Sequence, residues 1–291
     1  MKAQKSYERS DTEGVLYLIP TPIGNLEDMT FRAIRMLKEV DYIAAEDTRQ
    51  TKKLCNHFDI STSITSYHEH NKEVKTNQIL QDLHQGKAIG LVSDAGMPCV
   101  SDPGYELVVA AVNQGYPVVP LPGANAALTA LIASGLSTIQ FYFHGFLKRN
   151  KKHKKEQLQQ LAYKKETMIF YEAPHRLKET LKSMQDVWGN RQIVLCRELT
   201  KRYEEFLRGD LEAALDWVEE SEVRGEFCII VEGTEEEAPD IQTKWWEGLT
   251  VVEHVDYYVN EKNFANKEAI KQVAKERELA KRDVYNEYHV N

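Results

Sequence analysis

The sequence predicts an α/β protein, with two α/β domains and a small helical extension at the C-terminal end. Three observations predict it. Short apolar runs alternate with helix-like stretches, roughly every 25–30 residues. The runs stop at turns dense in Gly, Pro and Asp. Past residue 240 the apolar runs end and the pattern becomes polar and helical.

The elements follow in order. Residues 1–13 are polar and read as a disordered tail. VLYLIP (Val15–Pro20) is a strand stopped by Pro-Thr-Pro, and Thr30–Glu39 places Phe31, Ile34 and Leu37 at helical spacing. DYIAAE (Asp41–Glu46) is the next strand, followed by helices over Thr51–Phe58 and Lys75–Gln85, the second closed by Gly86. AIGLVSD (Ala88–Asp94) is a buried strand that runs straight into SDAGMPCVSDPG (Ser93–Gly104). A helix over Tyr105–Gln114 and the strand PVVPLPG (Pro117–Gly123) complete residues 14–122. This alternation builds a mainly parallel sheet covered on both faces, with ligands beyond the carboxyl ends of the strands. There the chain carries TPIGN, EDTR, SDAGMP and PGAN.

A second α/β segment occupies residues 123–234. Its strands are FYFHGF (Phe141–Phe146), TMIFYE (Thr167–Glu172), QIVLCREL (Gln192–Leu199) and EFCIIVEG (Glu226–Gly233). Its helices are Ala124–Ser134, Lys152–Tyr163, Arg176–Trp188 and Asp210–Ser221. EEEAPD marks an acidic linker over residues 235–240. In residues 241–291, Lys267–Ala274 and Ala280–Glu287 read as two helices around a short turn, an arrangement like a helix-turn-helix.

Composition bounds the function. A length of 291 residues favours two domains, and 42% hydrophobic with 28% charged residues is ordinary for a globular protein. No apolar run reaches the roughly 18 residues of a membrane span, and the polar start lacks a secretory h-region. The four cysteines form no CxxC pair, which fits a reducing cytoplasm. The net charge of −8 argues against holding long nucleic acid by non-specific contacts alone. The distribution matters more: KRNKKHKK (Lys148–Lys155) places six Lys and Arg in eight residues, a basic loop able to track phosphates.

Several clusters can carry chemistry. In SDAGMPCVSDPG, glycines allow close ligand approach and prolines stiffen the loop, although a plain strand-to-helix connection with Asp102 as helix cap reads the same residues. TPIGNLEDMT matches neither GxGxxG nor a P-loop, so a nucleoside triphosphate or dinucleotide gains little support. EDTR (Glu46–Arg49) offers a general base if a carboxylate is partly desolvated, and Arg49 can bind phosphate. YHEHN holds His68 and His70 with Glu69, but positions i and i+2 share no helix face, so no metal is expected. YEAPHR (Tyr171–Arg176) and CRELTKRYEE (Cys196–Glu205) put His175, Arg176, Arg197, Lys201 and Arg202 at strand ends, where they can meet an RNA backbone.

Together these motifs, with SYHEHN, PGANAALTALIASG, FYFHGFLK and RGEFCIIVEG, resemble the tetrapyrrole-methylase-like (class III) superfamily of S-adenosylmethionine-dependent methyltransferases. Within it they resemble the bacterial 16S ribosomal RNA ribose 2′-O-methyltransferases that act on cytidine. The resemblance spans Leu16 to Gly233 plus the helical extension. It implies a tetrapyrrole-methylase-type fold with S-adenosyl-L-methionine in the inter-domain cleft, a homodimer, and a cytoplasmic location. The implied substrate is the decoding region of 16S rRNA in the small ribosomal subunit. By correspondence of motifs, Ile23, Ser93, Asp94, Ala95, Met97, Val100, Asn125, Ala126, Tyr171, Leu199 and Thr200 line the cofactor. Glu46 falls where related methylases place a carboxylate base, with His68 as second candidate. Arg49, Lys148, Arg149, Lys151, Lys152, His175, Arg176 and Lys201 are the expected RNA contacts. Two residues depart from the pattern: Met97 where Thr or Ser is expected, and Lys148 where Pro is expected. The competing readings are a small-molecule methylase acting on a tetrapyrrole-like ring and a non-catalytic ribosome-binding factor that uses the C-terminal helices.

Overall fold

The computed structural model describes residues 3–6, 14–237 and 246–289. The tail read over residues 1–13 and the linker over 235–240 therefore lie largely outside the described residues. Within that tail Gln4 is held: its carboxamide donates to the Val118 carbonyl at 2.9 Å and accepts from the Val118 amide at 3.0 Å. The chain forms two compact units, one through Glu236 and one from Glu237.

The first unit contains two five-stranded sheets. In the first sheet the strands are β1 (Val15–Leu18), β2 (Tyr42–Ala45), β3 (Ser63–Ser66), β4 (Ala88–Val92) and β5 (Val118–Pro120), in the order β3-β2-β4-β1-β5, with every pairing parallel. Helices α1 (Phe31–Glu39), α2 (Thr48–His57), α3 (Lys72–His84) and α4 (Tyr105–Asn113) connect them. Each face buries its own cluster, one around Ile19, Leu37 and Ile43, the other around Leu16, Ile89 and Leu107. Such two-sided burial makes the strands read as near-continuous apolar runs.

The second sheet departs from the expected parallel pattern. Its strands are β6 (Phe141–Phe146), β7 (Thr167–Glu172), β8 (Gln192–Arg197), β9 (Glu205–Asp210) and β10 (Phe227–Val231), in the order β6-β7-β10-β8-β9. Only β6 and β7 pair in parallel; β10 inserts antiparallel between β7 and β8, and β9 returns antiparallel on β8. Helices α5 (Ala126–Ser134), α6 (Lys151–Leu161), α7 (Pro174–Trp188) and α8 (Leu211–Glu220) cover it. β10 is buried along its whole length, so its sequence carries no mark of its direction. β3 and β9 escape the sequence reading because they are edge strands, short or charged and only partly buried.

Helix starts shift for local reasons. Thr30 caps α1 by accepting from the Ala33 amide. Asp47 caps α2, which begins at Thr48 rather than Thr51, and Pro174 opens α7, where its missing N–H costs nothing. The second unit is a three-helix cluster: α9 (Val251–Asn260), α10 (Asn266–Glu276) and α11 (Lys281–His289) close over Val255, Ile270, Val273 and Val284. Its first helix has no counterpart in the two-helix reading. His254 is fully buried there, accepting from Arg277 Nε at 3.1 Å with Glu276 Oε2 at 3.0 Å from its Nε2.

Phe170 anchors the second sheet: it is 1% exposed and its ring lies 5.9 Å from Trp188. Phe170→Ala removes that ring from a packed core and is expected to cost about 3–5 kcal/mol. Denaturant unfolding of the full chain checks this, and a loss under about 1 kcal/mol would show that the core refills the space.

Candidate active site

The strand ends converge. The carboxyl ends of β1, β2, β4 and β5 and those of β6, β7 and β8 meet around one cavity of about 560 Å³, joined by the amino end of the reversed β10. The reversal matters here, because it delivers Glu226, Phe227 and Cys228 to the cavity from the start of a strand.

Two backbone hydrogen bonds fix the first wall. Thr21 N donates to Gly96 O at 2.9 Å and Gly96 N donates to Thr21 O at 3.0 Å, clasping the TPIGN turn to the SDAG loop. Gly96 stands at φ +79, in the left-handed region that glycine enters without cost. Its neighbours do not share that freedom. Cys99 and Ser101 in this loop, and Glu198 and Thr200 in the loop after β8, all hold left-handed φ of 53–71°. Such conformations cost of order 1–3 kcal/mol each and persist only where the surroundings over-determine them. Gly104, at φ +132, opens α4; a Cβ there would sit 2.7 Å from Cys99 Sγ.

Of the expected cofactor contacts, Ile23, Asp94, Ala95, Met97, Val100, Asn125, Ala126, Tyr171 and Leu199 line the cavity. Ser93 and Thr200 do not. Ser93 is buried behind the wall, its carbonyl accepting from the Thr21 hydroxyl at 3.1 Å. Thr200 donates its amide to Glu204 Oε2 at 2.7 Å. Asn125 caps α5, and the Tyr171 hydroxyl accepts from the Ala127 amide at 3.2 Å, so α5 and β7 are tied together at the cavity. Burial pushes the Tyr171 phenol up to about 12.

The cavity is acidic. Glu46 faces into it from β2, and burial first, then the Asp94 carboxylate, raise its proton affinity. Asp94 in turn accepts from the Asp47 amide at 2.9 Å, which seats the start of α2 on the SDAG loop. Asp102 is pushed up to about 7, by burial first and by the Glu46 carboxylate second. The alternative reading of this loop, a plain connection with Asp102 as helix cap, does not hold, because the cap is Gly104, two residues later. Pro103-Gly104 between the carboxylate and the helix is the signal that frees Asp102 for another role. Glu172, Glu198 and Glu226 also line the cavity and carry no mark in sequence beyond their motifs. His68 lies outside the lining, with its Nδ1 buried, yet close enough that a charge on it lowers the proton affinity of Glu46.

The expected RNA contacts separate into two groups. Lys148, Arg149, Lys151 and Lys152 are exposed, and Arg49 is 86% exposed with Asp47 at 2.7 Å. His175 lies exposed on the cavity rim. Arg176 and Lys201 are held inward. Arg176 pairs with the buried Glu172 at 3.2 Å and donates to the Leu147 carbonyl at 2.7 Å, anchoring the start of the basic loop. Lys201 bridges Glu198 and Glu226 at 3.0 and 2.8 Å and lies over Gly24, where a Cβ would meet it at 2.4 Å. Both cations have internal partners that the sequence could not show.

Comparison with known proteins fits this geometry. Residues 15–215 match the family model of Tetrapyrrole (Corrin/Porphyrin) Methylases. The chain belongs to this family and is a methyltransferase. It is 60% identical over 289 residues to the protein named ribosomal RNA small subunit methyltransferase I from Halalkalibacterium halodurans, covering 99% of both chains. The protein of that name from Bacillus subtilis is 56% identical over 290 residues, covering 100% of this chain and 99% of the relative. Among solved structures, uroporphyrin-III C-methyltransferase from Thermus thermophilus, complexed with S-adenyl homocysteine, shares the fold with a TM-score of 0.55. That pair is 19% identical and covers 75% of this chain and 97% of the other.

The Asp102 environment gives a pH test. Its folded-state proton affinity lies above the unfolded value of about 3.9, so the folded protein binds the extra proton between about pH 4 and 7. Stability tied to this group is therefore lost as pH rises to about 7. In the absence of cofactor, Asp102→Asn should melt above wild type most clearly past pH 7, and the gap should narrow toward pH 4. A gap independent of pH would refute the assignment.

Proposed function

We propose that this methyltransferase uses S-adenosylmethionine to methylate ribosomal RNA of the small subunit, at the ribose 2′-hydroxyl of a cytidine in the decoding region of 16S rRNA. The observation that carries the reading is the acidic cavity at the meeting of the strand ends, in a chain whose relatives bear the name of an rRNA methyltransferase. The residues present suit the cofactor. Asp94 and Asp102 favour the cationic sulfonium and ammonium groups, and Ile23, Ala126 and Leu199 offer an apolar bed for adenine. Met97 lines the same cavity and adds apolar contact where a hydroxyl side chain was expected. An rRNA substrate supports a cytoplasmic site of action, and no described helix is long and apolar enough to cross a membrane.

Bound S-adenosylmethionine supplies a methyl group already activated by its positive sulfur. The chain's own task is alignment of the acceptor oxygen and removal of its proton. Glu46 takes the hydroxyl proton as the new carbon–oxygen bond forms and the carbon–sulfur bond breaks. Its raised proton affinity, reinforced by the neighbouring acids, brings it nearer the working pH, where a general base is most effective. His68, the second candidate, lies outside the cavity lining, so the role of base falls to Glu46. The carboxylates repel phosphates, so the RNA backbone is read as staying on the rim, near Arg49, His175 and the basic loop.

Radiolabelled methyl transfer should appear in isolated small subunits and, after nuclease digestion, as 2′-O-methylcytidine. Label on a base, or in a tetrapyrrole instead, would overturn the reading. Glu46→Gln should lower kcat by about 10²–10⁴-fold while cofactor affinity, measured by calorimetry, stays near wild type. Normal turnover in that variant would dismiss Glu46 as the base.

We also read the chain as a homodimer. Tyr105, Val109 and Val112 on α4 and Leu128 and Ile132 on α5 are exposed apolar side chains that a second copy would cover. Light scattering should give twice the 33.5 kDa chain mass, and a monomer at micromolar concentration would reject this.

A further inference from the structure

A second cavity of about 480 Å³ adjoins the first. Asp94, Ala95 and Glu226 belong to both walls, so only the SDAG loop and the tip of β10 separate the two spaces. One side of it is a face of α2: Gln50, Lys53, Leu54 and His57 recur at i, i+3, i+4 and i+7. The opposite side is the TPIGN turn, with Gly24 and Leu26. The volume suits a nucleotide-sized group.

The α2 side of this space carries Lys53 and His57, while Asp94 and Glu226 stand in the wall it shares with the acidic cavity. Residues 48–57 hold Arg49, Lys52 and Lys53 and no carboxylate, in a chain of net charge −8. Lys52 and Lys53 are exposed, and among the described residues neither forms an ion pair; Lys53 reaches only the Gln50 carboxamide oxygen, at 3.3 Å. A helix face that keeps Lys53 unpaired beside a carboxylate-lined site suits an anion that passes close to that site without entering it.

We propose that the α2 groove holds the nucleotide next to the reacting ribose in the RNA substrate. Lys53 takes the phosphate. Leu26 and Leu54 provide an apolar surface for the base, and the Gln50 carboxamide, which both donates and accepts, faces the base edge. A strand whose ribose sits over Glu46 must lead its neighbour out of the acidic cavity, and the groove is the adjoining space where an unpaired lysine, Lys53, attracts phosphate. This inference rests on the rRNA reading above.

The test uses the full-length protein with isolated small subunits and S-adenosylmethionine. Lys53→Glu should raise KM for the subunit at least tenfold, leave kcat within about twofold, and leave cofactor affinity unchanged by calorimetry. The dependence of log KM on log salt should become shallower by about one unit. Lys53→Arg should restore KM, Lys53→Gln should fall between, and Lys38→Glu on α1, outside the groove, should match wild type. Melting curves confirm that each variant is folded, and Lys53→Gln serves if the charge reversal is not. An unchanged KM and salt slope in Lys53→Glu or Lys53→Gln would overturn the proposal, as would a loss of cofactor affinity in step with KM. If the wild type methylates no small subunit at all, the rRNA reading itself fails; if it does and the Lys53 variants behave like it, only the groove fails.

Discussion

The pair of hydrogen bonds between Thr21 and Gly96 is the constraint on which the rest of the site depends. It joins the ends of β1 and β4, which are neighbours in the sheet, into one wall. On one side of that wall lies the acidic cavity, on the other the groove along α2 that holds Lys53. Asp94 sits in the wall and receives the Asp47 amide, so the same loop also sets where α2 begins and which of its side chains face the groove. Released, the two loops would merge the two spaces into one.

That placement of charge is what would let a chain of net charge −8 meet the proposed RNA substrate. Acids gather where a cationic cofactor belongs, and the free cations stand at the edges, on α2 and in the loop before α6. The cations set deeper, Arg176 and Lys201, serve instead as struts. Arg176 ties buried Glu172 to the Leu147 carbonyl, and Lys201 ties the loop after β8 to the start of β10. The site is therefore rigid inside and positively charged outside, a combination suited to aligning one oxygen while a long backbone is held at a distance.

Much of this was legible in the sequence. The central strands announce themselves as apolar runs because both of their faces are buried, and the loops at their ends are marked by Gly, Pro and Asp. Nine of the eleven expected cofactor residues reach the cavity because motif order follows strand order. What was not legible has physical reasons. β3 and β9 lie at edges and are only partly buried, so they lack an apolar signature. The direction of β10 depends on pairing rather than composition. Asp102 becomes unusual only when folding brings Glu46 beside it. The inward turn of Arg176 and Lys201 depends on partners distant in sequence, such as Leu147 and Glu226.

The left-handed residues Cys99, Ser101, Glu198 and Thr200 carry a consequence for how this enzyme could change over time. Four strained, non-glycine positions around one cavity are a standing reserve of stability: replacing them with glycine would relieve the backbone at a small entropic cost. A lineage under pressure for heat tolerance could draw on that reserve, but only by loosening the loops that shape the cavity. Adaptation to temperature and fidelity of methyl transfer would then compete at the same four positions, and robustness would have to be gained in the outer helices instead.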